Sequence, residues 1–215
     1  MNTMTLKAAM LALPLSLSAV AQAGDYQITI TNLTHAQFFT PIMAVTHKDG
    51  YPVFVPGHAA SPELEAVAEG GDTGPLATVL LDSDDTWAVE SSEGLLMPGE
   101  SVTIDIEAKN DFKYVSLVSM LIPTNDAFIG LSNIKLPKNA GKPEMVPVPV
   151  FDAGTEENDE SCAHIPGPVC GGEGMSEGGG EGFVSVHRGI HGIADLPAET
   201  YDWRNPAAKI VIEKM

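Results

Sequence analysis

The sequence has 215 residues, a hydrophobic content of 44% and a formal net charge of −18 at pH 7. This length suits one domain or two small ones, and the composition is sufficient for a sizeable core. A surface this acidic should repel nucleic acid, and also anionic membranes unless a cation bridges the two. We therefore expect no nucleic-acid partner.

Residues 1–23 have the pattern of a secretory signal peptide. Lys7 supplies the positive region, Ala8 to Val20 the apolar region, and Ala21-Gln22-Ala23 a small-x-small cleavage site. The alternative is a buried first helix. No later segment approaches the roughly 20 apolar residues that a membrane span requires. We therefore predict an exported domain over 24–215, secreted or periplasmic, with no transmembrane segment.

Cys162 and Cys170 are the two cysteines of the chain. Two cysteines in an oxidising compartment most often pair, so export favours a disulfide that closes a short loop. The alternative is a zinc site formed by Cys162, His164 and Cys170. A structural zinc site, however, uses four ligands and usually has closer cysteine pairs.

The first half of the domain combines predicted strands with one clear helix. Asp25 to Leu33 alternates apolar and polar residues, which is typical of a half-buried strand. Ser61 is a good N-cap and Pro62 fits the first helical position, and Gly70-Gly71 is expected to end this helix. The same patterns predict strands at 42–47 and 52–56 and a second short helix at 75–81.

The second half is predicted to consist mainly of strands. Residues 102–107 alternate, and 114–122 is apolar on both faces, as a central strand should be. The Gly- and acid-rich stretch 156–182 is predicted to be a long loop. Further strands are predicted at 145–151, 183–187 and 208–213. Eight or nine short strands with few helices favour an all-β fold, an antiparallel β-sandwich with one or two short inserted helices.

Three carboxylates follow the ends of predicted strands. Asp126 follows the turn after 114–122, while Asp152 and Glu156 follow the strand at 145–151. If these strands are neighbours, the three side chains meet at one rim of the sheet, and Gly154 lets the chain turn tightly there. Calcium takes six to eight oxygen ligands, so this rim is a candidate calcium site. The alternative is a set of ordinary turn carboxylates exposed to water.

Four segments resemble the spondin N-terminal domain family, and they follow one another in the family's order: 26–34, 60–69, 119–126 and 152–156. The resemblance implies an eight-stranded antiparallel β-sandwich that binds calcium in its extracellular members. Asp126 and Asp152 match two calcium-binding aspartates of the family. Glu156 stands where the family has a third aspartate, so its carboxylate is kept on an arm one methylene longer. The partners of the animal members do not transfer, because those proteins carry additional modules.

The sequence contains no Gly-x-Ser-x-Gly elbow, no His-Glu-x-x-His and no phosphate loop. We therefore expect a binding protein and not an enzyme: an exported calcium-binding module, with a role in adhesion, whose extracellular ligand is an unidentified protein or glycan. The pattern does not predict an oligomeric state. His187 and His191 have a spacing that binds metal on a helix, but the glycines around them favour a loop.

Two alternative functions are compatible with the same residues. A pair of carboxylates at a suitable distance could serve a polysaccharide hydrolase. Calcium held at the rim could instead bridge the protein to anionic lipid. That second function requires apolar loop tips near the site, and Phe128 and Phe151 are the candidates.

Overall fold

The computed structural model describes residues 23–176 and 178–215. These residues contain eleven strands: β1 (Ala23–Asn32), β2 (Phe38–Phe39), β3 (Met43–His47), β4 (Thr86–Ser91), β5 (Ser101–Lys109), β6 (Tyr114–Ile122), β7 (Ala127–Lys135), β8 (Glu144–Val148), β9 (Val150–Asp152), β10 (Ser185–Val186) and β11 (Ala208–Lys214). They also contain four short helices: α1 (Pro62–Gly70), α2 (Gly74–Leu81), α3 (Gly167–Cys170) and α4 (Ala198–Tyr201).

The strands form two antiparallel sheets. One sheet has four strands in the order β5-β1-β11-β8. The other has seven, in the order β10-β9-β7-β6-β3-β4, with β2 paired to β6. The predicted mainly-β sandwich is therefore confirmed, with three strands of only two or three residues raising the count above eight. The predicted signal peptide lies outside the described residues, except for Ala23, which begins β1.

The core has two parts, one on each face of the seven-stranded sheet. Between the sheets, Ile28 of β1 and Ile210 of β11 pack in one cluster with Leu117 of β6. On the outer face, Val118 of β6 packs with Val67 of α1 in a second cluster. Residues 114–122 are apolar on both faces because the second sheet covers one face and helices cover the other.

Helix α1 begins as its sequence predicts. The Ser61 hydroxyl accepts a hydrogen bond from the Leu64 N–H at 3.2 Å, which satisfies one free donor of the first turn. Gly71 adopts the left-handed conformation that ends the helix, with φ +66°. Helix α2 follows almost at once, and its Leu76 and Leu80 are buried in the same outer cluster.

Two strand predictions are wrong, and proline explains both. The segment 145–151 is not one strand: β8 pairs with β11 and β9 pairs with β7, in different sheets. Pro149 lies at the crossing because it has no N–H to donate to either ladder. No strand forms over 52–56, which a proline bounds at each end; Phe54 of this segment is buried in the outer cluster.

The stretch 156–182 contains α3 and several buried side chains, including Ile165. Cys162 and Cys170 form a disulfide within it. The predicted pairing is confirmed, and the zinc alternative is wrong because neither thiolate is available as a ligand. In the described part of the chain, no helix combines the length and the apolar character needed to cross a membrane.

Candidate metal centre

Two neighbouring strands bring Asp126 and Asp152 to the same end of the seven-stranded sheet. β7 and β9 are antiparallel partners, with Ala127 opposite Asp152. The Ala153 N–H donates a hydrogen bond to the Asp126 C=O at 3.2 Å. Asp126 therefore lies directly before β7 and beside the end of β9. The two strands that these carboxylates were predicted to follow, β6 and β9, are not direct neighbours, because β7 lies between them; Asp126 approaches Asp152 because it directly precedes β7, the partner of β9.

Gly154 turns the chain so that the next two residues face Asp126. Its φ is +71°, and an added Cβ would lie 2.7 Å from the Phe183 backbone nitrogen. Both facts require glycine at this position. After the turn, the N–H groups of Thr155 and Glu156 donate to Asp126 Oδ2 at 2.9 and 3.3 Å. The Asp126 carboxylate is thus in direct contact with the backbone of Glu156.

Asp152 is held by donors on both carboxylate oxygens. The Gly154 N–H donates to Oδ1 at 2.8 Å, and Asn158 Nδ2 donates to Oδ2 at 2.7 Å. The Asn158 side-chain carbonyl accepts in turn from His187 Nε2 at 3.0 Å, while His187 Nδ1 accepts from the Gly189 N–H at 2.9 Å. His187 is therefore a neutral histidine with both nitrogens engaged, and burial lowers its pKa to about 4. The prediction of a loop around His187 and His191 is confirmed, because neither residue lies in a helix.

A fourth carboxylate, Glu69, joins the cluster from helix α1. Ser176 bridges it to Glu156, because the Ser176 hydroxyl donates to Glu156 Oε1 at 2.6 Å and its N–H donates to Glu69 Oε2 at 3.2 Å. Glu69 is fully buried. The sequence pattern predicts this residue only as part of the helix. Its position in the last turn was a usable signal, since a negative charge there opposes the helix dipole and needs another reason.

Three buried carboxylate oxygens in this region have no hydrogen-bond donor among the described residues. They are Asp126 Oδ1, Glu156 Oε2 and Glu69 Oε1. The three side chains that carry them are no more than 2% exposed. A buried anionic oxygen without a donor is unfavourable by several kcal/mol, so such atoms are uncommon unless a cation neutralises them.

The electrostatics of the cluster make the ionised carboxylates less favourable when no cation is present. Burial, followed by the charge of Asp152, raises the pKa of Asp126 to about 7. Burial likewise raises the pKa of Asp152 and of Glu156. In 23–176 and 178–215, no three or more His, Cys, Asp or Glu side chains are already arranged as a metal site.

The surroundings of the cluster also bear on lipid binding. Phe128, the residue after Ala127 in β7, is fully buried and packs edge-on against Phe54 with ring centroids 5.1 Å apart. Phe151 is partly buried against the same ring at 5.0 Å. Phe128 is thus a core residue, so its predicted place at an apolar loop tip is wrong.

Comparison with known proteins identifies one family. The family model described as Spondin_N matches residues 27–162, which is more than half of the chain and includes all four carboxylates of the cluster. A search of the curated proteins gives no match.

Proposed function

The chain belongs to the Spondin_N family, and we propose that it is an exported binding module whose rim is held together by one calcium ion. Asp126, Asp152 and Glu156 are the proposed protein ligands. The adhesion role and the place outside the cytoplasm are part of the same proposal. They are supported by the predicted signal peptide, by the disulfide and by the family.

The observation that carries the proposal is the set of unpartnered oxygens. Asp126 Oδ1 and Glu156 Oε2 are buried, belong to acidic groups and have no donor among the described residues. A divalent cation would supply the missing positive charge to both oxygens. The backbone donors on Asp126 Oδ2 and the donor on Glu156 Oε1 meanwhile keep these side chains oriented.

The donor set fits calcium better than a transition metal. Calcium prefers oxygen ligands and accepts six to eight of them in flexible geometry, including backbone carbonyls and water. His187 and the two cysteines offer no competing nitrogen or sulfur ligand, because His187 uses both ring nitrogens and the cysteines are oxidised. Glu69 adds a fourth carboxylate to the cluster and is close enough to Glu156 to share Ser176 with it.

The ion would connect three separate parts of the chain and lie near a fourth, which contributes Glu69. Asp126 belongs to the β6–β7 turn, Asp152 to the end of β9, Glu156 to the following loop, and Glu69 to α1. Neutralising their mutual repulsion would fix these loops relative to the sheet. A rim ordered in this way can present a constant surface to an extracellular protein or glycan.

Calorimetric titration with CaCl₂ tests the proposal directly. We expect one site per chain with a dissociation constant of about 0.1–1 mM, as in other extracellular modules. Asp152→Ala should abolish the binding heat. Asp84→Ala, at an exposed turn position, should leave it unchanged. A wild-type chain that gives no binding heat, or equal affinity in the two variants, would contradict the proposal.

A further inference from the structure

A cleft of about 400 Å³ opens at the end of the sandwich opposite the carboxylate cluster. It lies where β1 begins and where β5, β7 and β11 end, together with the turns at 110–113 and 136–138. β6 and β7 pair along the whole distance, with Tyr114 opposite Lys135 at the cleft end and Met120 opposite Phe128 towards the cluster. At about 3.3 Å per residue, β6 alone separates the two ends by roughly 26 Å.

The cleft concentrates the positive charge of an acidic protein. Five of the eleven Lys and Arg residues of the sequence line it: Lys109, Lys113, Lys135, Lys138 and Lys214. None of the five forms an ion pair with a described carboxylate, whereas Lys48, Arg188 and Arg204 each do. Acidic groups are plentiful in this chain, yet five lysines without an ion-pair partner among the described residues lie together in one cleft. The cleft is therefore a positively charged region on a negatively charged protein.

Several of these lysines are positioned by contacts that leave their charge free. Lys109 Nζ lies 4.5 Å from the centre of the Trp87 ring, and Lys135 Nζ lies 5.9 Å from that of Tyr114. Lys214 Nζ donates to the Lys138 C=O at 3.3 Å. Aromatic faces and a carbonyl orient an ammonium group without neutralising it, so the charge stays available to a ligand.

Two carboxylates approach this end of the molecule, Asp49 and Asp111 of the 110–113 turn, and neither forms an ion pair with a cleft lysine. The Asp49 side chain accepts hydrogen bonds from Asn133 and Tyr114, which lower its pKa, and Lys135 lowers it further as a smaller effect. Asp49 is thus already held by two neutral donors and is not within 4.0 Å of the Lys135 ammonium. It does not replace an external anion in the cleft.

We propose that this lysine cleft binds an oligoanion, a ligand that presents several sulfate, phosphate or carboxylate groups within the length of the cleft. Five ammonium groups around this volume exceed what one small anion can contact. The acidic far end does not prevent binding, because roughly 26 Å is well beyond the screening length of about 10 Å at 0.1 M salt. The same chemistry is available from a free small molecule and from a stretch of acidic polysaccharide.

Calorimetric titration with two probes tests the proposal and separates these sources. Tripolyphosphate represents the free small molecule, and a sulfated tetrasaccharide represents the polysaccharide. The variant carries Lys113→Gln, Lys135→Gln and Lys138→Gln, three exposed cleft positions. Three surface ion pairs together correspond to about tenfold in affinity, so we expect the variant to bind at least about tenfold more weakly.

The control variant has the same change in net charge at positions outside the cleft: Arg188→Gln, Arg204→Gln and Lys209→Gln. It should bind both probes about as well as the wild-type chain. Binding of tripolyphosphate alone assigns the cleft to small molecules, and binding of the tetrasaccharide alone assigns it to polysaccharide. Lack of binding by both probes, or an equal loss in the two variants, would overturn the proposal. Matching thermal unfolding curves verify that both variants are folded.

Discussion

Replacing Asp126 with asparagine should stabilise the metal-free chain and remove its stabilisation by calcium. The new amide side chain keeps a carbonyl oxygen for the Thr155 and Glu156 N–H donors and places an NH₂ group where the unpartnered oxygen now lies. In metal-free protein, this removes a buried negative charge beside Asp152. In calcium, it removes a ligand. The substitution therefore separates the two roles of one carboxylate.

The magnitude follows from the pKa of Asp126. A rise from 3.8 to about 7 corresponds to about 4 kcal/mol of destabilisation of the ionised form, at about 1.4 kcal/mol per unit. Side-chain rotation and water entering the pocket recover part of this, so the expected gain in metal-free Asp126→Asn is about 1–3 kcal/mol. For a chain of this size, that is an increase in melting temperature of roughly 3–10 °C.

Calcium should stabilise only the wild-type chain and so offset most or all of the advantage of the variant. At a free concentration of about 100 times the dissociation constant, the ion stabilises the wild-type chain by about 2.7 kcal/mol. Asp126→Asn should show no calcium-dependent shift. The assay is differential scanning calorimetry at pH 8, in EDTA and in CaCl₂. The reasoning would be refuted if the variant had a lower melting temperature than the wild-type chain in EDTA. It would also be refuted if calcium raised the melting temperatures of the two proteins equally.

Three further predictions concern the same region. Glu69→Gln should weaken calcium binding about tenfold, because groups that support metal ligands contribute this much to metal affinity. Glu63→Gln in the same helix should leave the affinity unchanged. Calorimetric titration with CaCl₂ compares the two variants. In EDTA, the free energy of unfolding should fall as pH rises from about 4 to 7, because the folded chain keeps the Asp126 proton that the unfolded chain releases. Urea unfolding at pH 5 and pH 8 measures this change. A higher free energy of unfolding at pH 8 would contradict the prediction. Gly154→Ala should lower the free energy of unfolding by at least about 1 kcal/mol more than Gly94→Ala, as measured by urea unfolding. Both glycines have positive φ, but only Gly154 is packed against the Phe183 backbone. Equal losses would show that this close approach is unimportant.

The sequence predicted the strands that have one buried face and one exposed face. Residues 25–33 and 102–107 alternate because one face lies on the core and the other on solvent, and β1 and β5 form there. The missed strand β4 lies at the edge of its sheet and is half-exposed on both faces, so its residues do not alternate. Periodicity reports burial, and an edge strand with little burial leaves little pattern.

The site was less accessible to sequence reasoning than the fold. Asp126 and Asp152 could be placed because each follows a strand, and the pairing of β7 with β9 brings them together. The last-turn position of Glu69 marked it as unusual, but its partners could not be predicted, because no local pattern encodes where α1, which ends more than 50 residues before Asp126, packs on the sheet. The approach of Glu69 to Glu156 depends on Ser176, which belongs to a loop without regular structure.

The two proposed sites should act independently, and the separation of charge in the fold explains why. The carboxylate cluster and the lysine cleft lie at opposite ends of the paired strands β6 and β7, so salt screens each from the other. Changes at sites this far apart, with no shared partners, usually have additive effects on stability. A calcium-saturated chain should therefore bind the oligoanion with the same affinity as a chain in EDTA. If calcium changed that affinity, the rim loops would have to be coupled through the sandwich itself, and the sheet would not be the rigid spacer that its pairing indicates.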